Sequence, residues 1–402
     1  MALTARPTPA GAPLPCVPWQ LFRGSGSSAA ASAPAQGSRQ AQPREHCRVL
    51  SDSVDALAAL AGENCGTDAG SSSGANEARA ASLSEEVHDS LQAVVRQLQN
   101  VKEDAGSSVS EAREAILHLL ATDVQAKLVV CLDALNFEAR KDTMRLFGAV
   151  LRLGPLVGAN AEVIEYVQTH PRIAQLLLEG SGRPEVFCHC AQMLRCCTRF
   201  PQLVAFLYDQ NAMSRLIDLA RHQTFDISTE AFCSLRELLL AHKDVSAAHL
   251  QAHFEECFEL YNSLLQADDY VVQRQALRLL GQVLLDRSFM QVMVAYVGNE
   301  RFMQIHMNLL RDKSKAIQLE AFHVFKIFVA NPNKPPRVQH ILYRNKERLV
   351  KVLETVAAKR QSDKSLAQDL GAVVGIIQAL EAPSPLRAGP TEAQPESMVA
   401  VA

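Results

Sequence analysis

Apolar residues recur along this chain in groups spaced 0, +4, +7 and +8, the stripe that one buried face of an α-helix produces. Ala231, Leu235, Leu238 and Leu239 form one such group. It returns 45 residues later as Ala276, Leu280, Val283 and Leu284, and again as Ala321, Phe325, Phe328 and Val329. Less regular sets at Phe147, Val150 and Leu151, and at Leu194 and Cys197, carry the series backwards. Measured at the position of Leu235, the steps are 47, 41, 45 and 45 residues. A helical period within groups and a steady spacing between them predict an all-α fold. The expected architecture is an armadillo/HEAT-like right-handed helical-repeat solenoid, a curved rod of two- or three-helix repeats. Each repeat hides its stripe only against its neighbours, so the stack offers a long surface to another macromolecule rather than a cavity for a small substrate.

The pattern predicts a first helix through residues 50–61, a Gly/Ser/Asn loop over 62–76, and a second helix with Val87, Leu91, Val94, Val95 and Leu98 on one face. From there to about residue 381 it reads as helix after helix, with no convincing period of two. Pro171, Pro184–Glu185 and Asn331-Pro332-Asn333 are the expected punctuation of helix ends.

Three zones follow. Residues 1–42 are rich in Ala, Ser, Pro and Gly and carry Arg6, Arg23 and Arg39 with no acidic residue. Such a stretch buries too little apolar surface to offset its ordering entropy, so a disordered tail is expected, with an organellar transit peptide as the alternative. Residues 43–381 form the repeat domain. Residues 382–402, with Pro383, Pro385, Pro390 and Pro395, read as a second disordered tail.

The constant spacing also makes the surface readable, because equivalent residues of adjacent repeats lie roughly 8–10 Å apart when their helices pack. Six residues before each repeated alanine stand Phe225, Tyr270 and Lys315. Tyr270, Arg274 and Arg278 then step by i, i+4 and i+8, off the apolar stripe, and Arg287 is expected to close the same helix. An aromatic followed by arginines on the non-core side is the composition of an interface hot spot, although a merely solvated face has the same pattern.

Charge and chemistry remove other classes. The formal net charge of -3 gives no general reason to expect nucleic acid. The basic residues Arg311, Lys313 and Lys315 lack the interleaved aromatics that single-strand binders use. No run approaches the length of a membrane span. Cysteines at 190, 197 and 233 fall inside helical patterns, which points to free thiols in a reducing compartment and a cytoplasmic location. Cys188-His189-Cys190 and Cys196-Cys197 resemble metal ligands in composition only. Cys190 and Cys197 share a helix face with Met193 and Leu194, and Cys188 and His189 are expected to point elsewhere. The string Gly70-Ser-Ser72-Ser-Gly74 matches a nucleophile elbow in letters, but it is expected in a low-complexity loop between helices, where the elbow needs a strand leading into the serine. No phosphate-binding loop, kinase string or EF-hand is present. The chain is therefore expected to be no enzyme and to need no cofactor or metal.

Several strings together resemble one family: Asn136-Phe-Glu-Ala-Arg-Lys-Asp142, Thr224-Phe-Asp-Ile227, the run from Tyr270 to Arg287, Asn308-Leu-Leu-Arg-Asp-Lys-Ser314 and the run from Gln318 to Lys334. The chain is similar over about residues 43–360, most densely from about 220 to 335, to the mouse-protein-twenty-five scaffold family, also named for calcium-binding protein thirty-nine. Nothing in the sequence makes a calcium site. The resemblance implies a non-catalytic armadillo-like scaffold that binds kinases and pseudokinases of the Sterile-20-like class, STRAD among them, and activates them allosterically. It implies a concave partner site at Phe225, Tyr270, Arg274, Arg278 and Arg287. It also implies a C-terminal pocket for a Trp-Glu-Phe tail, with Met307 against the aromatic rings and Arg344 for the glutamate. Three positions depart from the pattern. Arg278 stands where relatives can carry Lys, Met290 where the family has an aromatic, and Gln304 where a relative has a basic residue, which is expected to alter tail selectivity. The competing reading is a helical-repeat adaptor for transport or complex assembly with no kinase among its partners.

Overall fold

The computed structural model describes residues 42–63, 73–99, 101, 106–358 and 364–382. Both predicted tails apart from Gln42 and Ala382, most of the predicted 62–76 loop and the Ser72 of the elbow-like string lie outside these residues. Among the described residues there are twenty α-helices, two short 3-10 turns and no strand. The helices fall into successive triplets, as in Pro201–Asp209, Ala212–Ala220 and Phe225–Leu240, or Met290–Gly298, Glu300–Leu309 and Lys315–Ala330. This is the helical-repeat solenoid that the apolar spacing predicts, and it resolves the repeat as three helices.

The first helix runs Gln42–Glu63, longer than the predicted 50–61, and the second runs Ser73–Gln99, starting inside the predicted loop. Pro171 opens the helix Pro171–Gly180 after Asn160–Thr169 ends. Asn331 caps the end of Lys315–Ala330. Pro184 and Glu185, by contrast, lie in a turn, and the helix they were expected to open begins at Phe187.

The chain divides into two compact units, Met1–His253 and Phe254–Ala402. In the first, the third helices of successive triplets, Phe137–Leu153, Phe187–Cys197 and Phe225–Leu240, pack side by side. In the second, Tyr270–Leu285 packs on Lys315–Ala330, which packs on Lys364–Gln378. The predicted stripes form the cores. Ala231, Leu235, Leu238 and Leu239 are buried in the first unit, and Ala276, Leu280, Val283, Leu284, Ala321, Phe325, Phe328 and Val329 in the second.

The third helices are anchored at their starts. Asn136 Oδ1 accepts the Ala139 N–H at 2.8 Å, and Asp269 Oδ1 accepts those of Val271 and Val272 at 2.7 and 2.9 Å. Each cap satisfies donors that a helix start leaves unpaired. Asp269→Ala is expected to cost about 1 kcal/mol of stability, measured by thermal unfolding.

A buried polar chain crosses the second core. The Tyr296 hydroxyl donates to Asn262 Oδ1 at 2.9 Å and lies 3.0 Å from His306 Nε2. With its proton committed to Asn262, the hydroxyl accepts from the Nε2–H tautomer, leaving His306 Nδ1 as a bare buried acceptor. A protonated imidazole would place an unpaired N–H there. Burial pushes the His306 pKa down to about 3, against the ordinary 6.5. The unfolded chain therefore takes up this proton below about pH 6.5 while the folded chain does not until about pH 3. Stability is complete above the unfolded value and falls, by up to about 1.4 kcal/mol per pH unit from this group, as the pH drops through that window. Urea unfolding from pH 7 to pH 4 is expected to show a shallower pH slope for His306→Gln than for the wild type. Equal slopes would assign the loss to other groups.

Candidate functional site

Phe137, Phe225, Tyr270 and Lys315 each open a third helix ten residues before Phe147, Leu235, Leu280 and Phe325, whereas Phe187 opens its helix only seven before Leu194. Three aromatics in register are thus followed by a lysine, and Lys364 opens the last of these helices. Phe137 is 66% exposed, Phe225 63% and Tyr270 44%, high values for side chains of this size. Phe137 meets the buried ring of His189 edge-on, with centroids 6.0 Å apart. His189 was expected to turn away from the core. Instead it packs inward under Phe137, and burial together with the Arg140 charge holds its pKa below the ordinary value.

Five residues into these helices lies a second series: Asp142, Gln192, Glu230, Gln275, Glu320 and Asp369. Each of its acids meets a base from the preceding third helix, or, for Asp142, from the helix Ser73–Gln99. Asp142 Oδ2 lies 3.3 Å from His88 Nδ1, Glu230 Oε2 2.6 Å from Arg195 Nη1, and Asp369 Oδ2 2.6 Å from Lys326 Nζ. Glu320 Oε1 lies 3.8 Å from Arg278 Nε and 4.0 Å from Arg274 Nε. Polar rungs thus tie successive helices together, the one at Asp142 buried and the others partly exposed.

Tyr270, Arg274 and Arg278 come together on the helix Tyr270–Leu285 as their spacing predicts. Arg274 Nη1 donates to the Tyr270 hydroxyl at 3.4 Å. The Arg274 side chain is 42% exposed and that of Arg278 25%, so both aliphatic stems are partly packed while the guanidinium groups face Glu320. Arg287 departs from expectation. The helix stops at Leu285 because Asp286 takes an extended backbone and its carboxylate accepts the Ser288 N–H at 3.0 Å. Arg287 therefore opens the 3-10 turn Arg287–Phe289 and is exposed there, off the Tyr270 helix, beside exposed Met290. Phe225 belongs to the first unit, where it opens Phe225–Leu240.

The proposed tail pocket draws on two neighbouring helices, Glu300–Leu309 and Pro336–Arg344, which pack together in the second unit. Helical spacing puts Glu300, Gln304 and Met307 on one stripe and Arg337, Ile341 and Arg344 on another. Arg337 Nη1 donates to Glu300 Oε1 at 2.9 Å, which joins the first turns of the two helices and holds the Glu300 carboxyl below its ordinary pKa. Met307 is half-buried, Gln304 and Arg344 are exposed, and Arg344 ends its helix.

Seven of the eight described cysteines are buried and Cys188 is exposed; Cys190, Cys196 and Cys197 lie in the core, burial pushes the Cys190 thiol up to about 12, and no disulfide joins the described cysteines. Among the described residues no cluster of His, Cys, Asp and Glu has a geometry that could hold a metal ion. Nor is any described helix long and apolar enough to cross a membrane.

Comparison with known proteins decides the family. The sequence profile of the Mo25-like family matches residues 35–381.

The chain belongs to the Mo25-like family.

It is 34% identical over 304 residues to human calcium-binding protein 39-like, covering 75% of this chain and 89% of that protein. It is 36% identical over 281 residues to the degreening-related dee76 protein of Auxenochlorella protothecoides, covering 70% and 87%. The Mo25-like protein of Schizosaccharomyces pombe is 37% identical over 253 residues, covering 63% and 76%. A designed armadillo repeat protein covers 69% of this chain at 14% identity with a TM-score of 0.36, too distant to carry an argument. Membership in the Mo25-like family, together with the observed repeats, supports a helical scaffold protein.

Two features of this Mo25-like chain escape the sequence reading. Phe137 stands ten residues before Phe147, as Phe225 does before Leu235, and the signal was hidden because the apolar stripe before residue 190 is irregular. Glu320 stands 45 residues after Gln275 and 90 after Glu230, but an acid on an outer face reads as solvated until its partners on the neighbouring helix are known.

Proposed function

We propose that this protein is a non-catalytic, cytoplasmic scaffold that binds kinases or pseudokinases of the Sterile-20-like class, STRAD-type proteins among them, and activates them allosterically. The observation that carries the reading is the Tyr270–Arg274–Arg278 face of a Mo25-like chain, an exposed aromatic bonded to one of two arginines on the side away from the core. Aromatic and Arg side chains are the residues that most often anchor protein interfaces. Phe225 on the first unit and Arg287 beside Met290 on the second are further contacts in this reading. Met307 and Arg344 form the C-terminal peptide pocket for a Trp-Glu-Phe-type tail.

The physical mechanism is population shift. A scaffold that binds only the active-like conformation of its partner raises that conformation's population by its differential affinity, and contributes no chemistry itself.

Affinity capture with mass spectrometry tests this. Wild type is expected to recover a Sterile-20-like kinase or pseudokinase that the folded Arg274→Ala/Met307→Ala variant loses. Recovery of transport or assembly cargo with no kinase among it would overturn the reading in favour of the adaptor alternative.

A further inference from the structure

On the proposed partner face, two guanidinium groups converge on one carboxylate. At Glu230 and Asp369 one base from the neighbouring third helix meets one acid, Arg195 and Lys326 respectively, whereas buried Asp142 meets His88 and Arg145 through its two oxygens. At Glu320 both Arg274 and Arg278 bring Nε to within 4.0 Å of the same oxygen, Oε1. Two guanidinium groups thus share this carboxylate oxygen, and exposed Lys315 opens the helix that carries Glu320. Arg274 Nε is buried and has no hydrogen-bond partner, while Nη1 makes a long bond of 3.4 Å to Tyr270. A guanidinium carries five N–H donors in a fork that fits a carboxylate, so Arg274 retains donor capacity. The complementary ligand group is a carboxylate, and Tyr270 beside it suits an apolar neighbour on the same partner segment.

We propose that Glu320 sets how tightly this face holds an acidic side chain of its partner, by competing for the Arg274 and Arg278 guanidinium groups. The proposal rests on the reading of this face as the binding site for a kinase-fold partner, and adds the chemistry of the contact and a residue that tunes it. A carboxylate arriving at Arg274 shares the two cations with Glu320 and is repelled by it across a few ångströms. Glu320→Gln keeps the shape of the side chain and deletes that repulsion. It raises the local charge by one unit and leaves both arginines in place. Its side chain is 20% exposed and the apolar stripe does not include it, so the fold is expected to tolerate the change.

The expected effect is roughly fivefold tighter binding at low ionic strength, the size of a one-charge change a few ångströms away in a partly solvated site. Faster association is expected to supply much of it. The gain is expected to shrink markedly in about 0.5 M salt, where the screening length is only about 4 Å.

The test is calorimetric titration of a purified Sterile-20-like pseudokinase domain into the full chain, as wild type, Glu320→Gln and Arg274→Ala, with circular dichroism to verify folding. Tighter, salt-sensitive binding by Glu320→Gln together with weaker binding by Arg274→Ala supports the proposal. Weaker binding by Arg274→Ala with unchanged or weaker binding by Glu320→Gln overturns the role of Glu320 and leaves the partner site standing. Wild-type affinity in Arg274→Ala overturns the site and this proposal with it, as does a wild type that binds no such domain.

Discussion

Replacing Arg274 and Met307 together by alanine is expected to weaken binding to a Sterile-20-like partner at least about 100-fold while leaving helix content and thermal stability close to wild type. Interface anchors of these types cost about 2 kcal/mol or more each when truncated. The two residues stand on different helices and in the proposed reading meet different parts of the partner, so their losses are expected to add to a large extent. Neither belongs to the buried stripes, since Arg274 is partly exposed and Met307 half-buried, which separates the binding effect from a folding effect. Titration calorimetry of each single variant and the pair checks this. A double variant within threefold of wild type would remove both surfaces from the account.

Phe328→Ala is expected to have the opposite signature, a large loss of stability. Phe328 is fully buried and its ring centroid lies 5.8 Å from that of Tyr296 and 5.7 Å from that of His306. Truncation leaves a cavity beside the Asn262–Tyr296–His306 chain, and such losses run to about 3–5 kcal/mol. Urea unfolding monitored by circular dichroism gives the value. A loss below about 1 kcal/mol would mean that the second core is far more deformable than its packing indicates.

The contrast between these two variants reflects what the sequence makes legible. The apolar stripe at Ala321, Phe325, Phe328 and Val329 announces itself because burial constrains residue type at every turn of the helix. The helical repeat itself, the Asn331 stop and the Pro171 start follow from the same local rules, whereas the choice of three helices per repeat over two comes from the structure. Helix starts were harder. Phe187 opens its helix three residues after Pro184, and Ser73 begins a helix within a stretch whose composition suggests a loop. Local composition is a weaker guide to where a helix begins than to which face it buries. Arg287 shows the same limit. A single Asp286 side chain, by accepting the Ser288 N–H, ends the helix two residues before the charge pattern implies.

For the candidate face, helical spacing alone groups Tyr270, Arg274 and Arg278, because i, i+4 and i+8 fix one side of a helix. Glu320 lies 42 residues beyond Arg278 and meets it only through the packing of two third helices. No local rule gives that pairing. The repeat offset does hold the information, since Glu230 and Glu320 occupy equivalent positions and both meet arginines of the preceding helix in their own units. Its meaning emerges once the neighbours are in place.

The central claim is that this scaffold raises the activity of a kinase-fold partner by selecting its active-like state. The most direct measurement is the phosphorylation rate of a purified Sterile-20-like kinase as the full chain is titrated, with Tyr270→Ala/Arg274→Ala as the control. The account predicts a saturable rise in rate with wild type and little or none with the variant at the same concentrations. A rate that stays flat across saturating wild-type protein, or that rises equally with the variant, would contradict it.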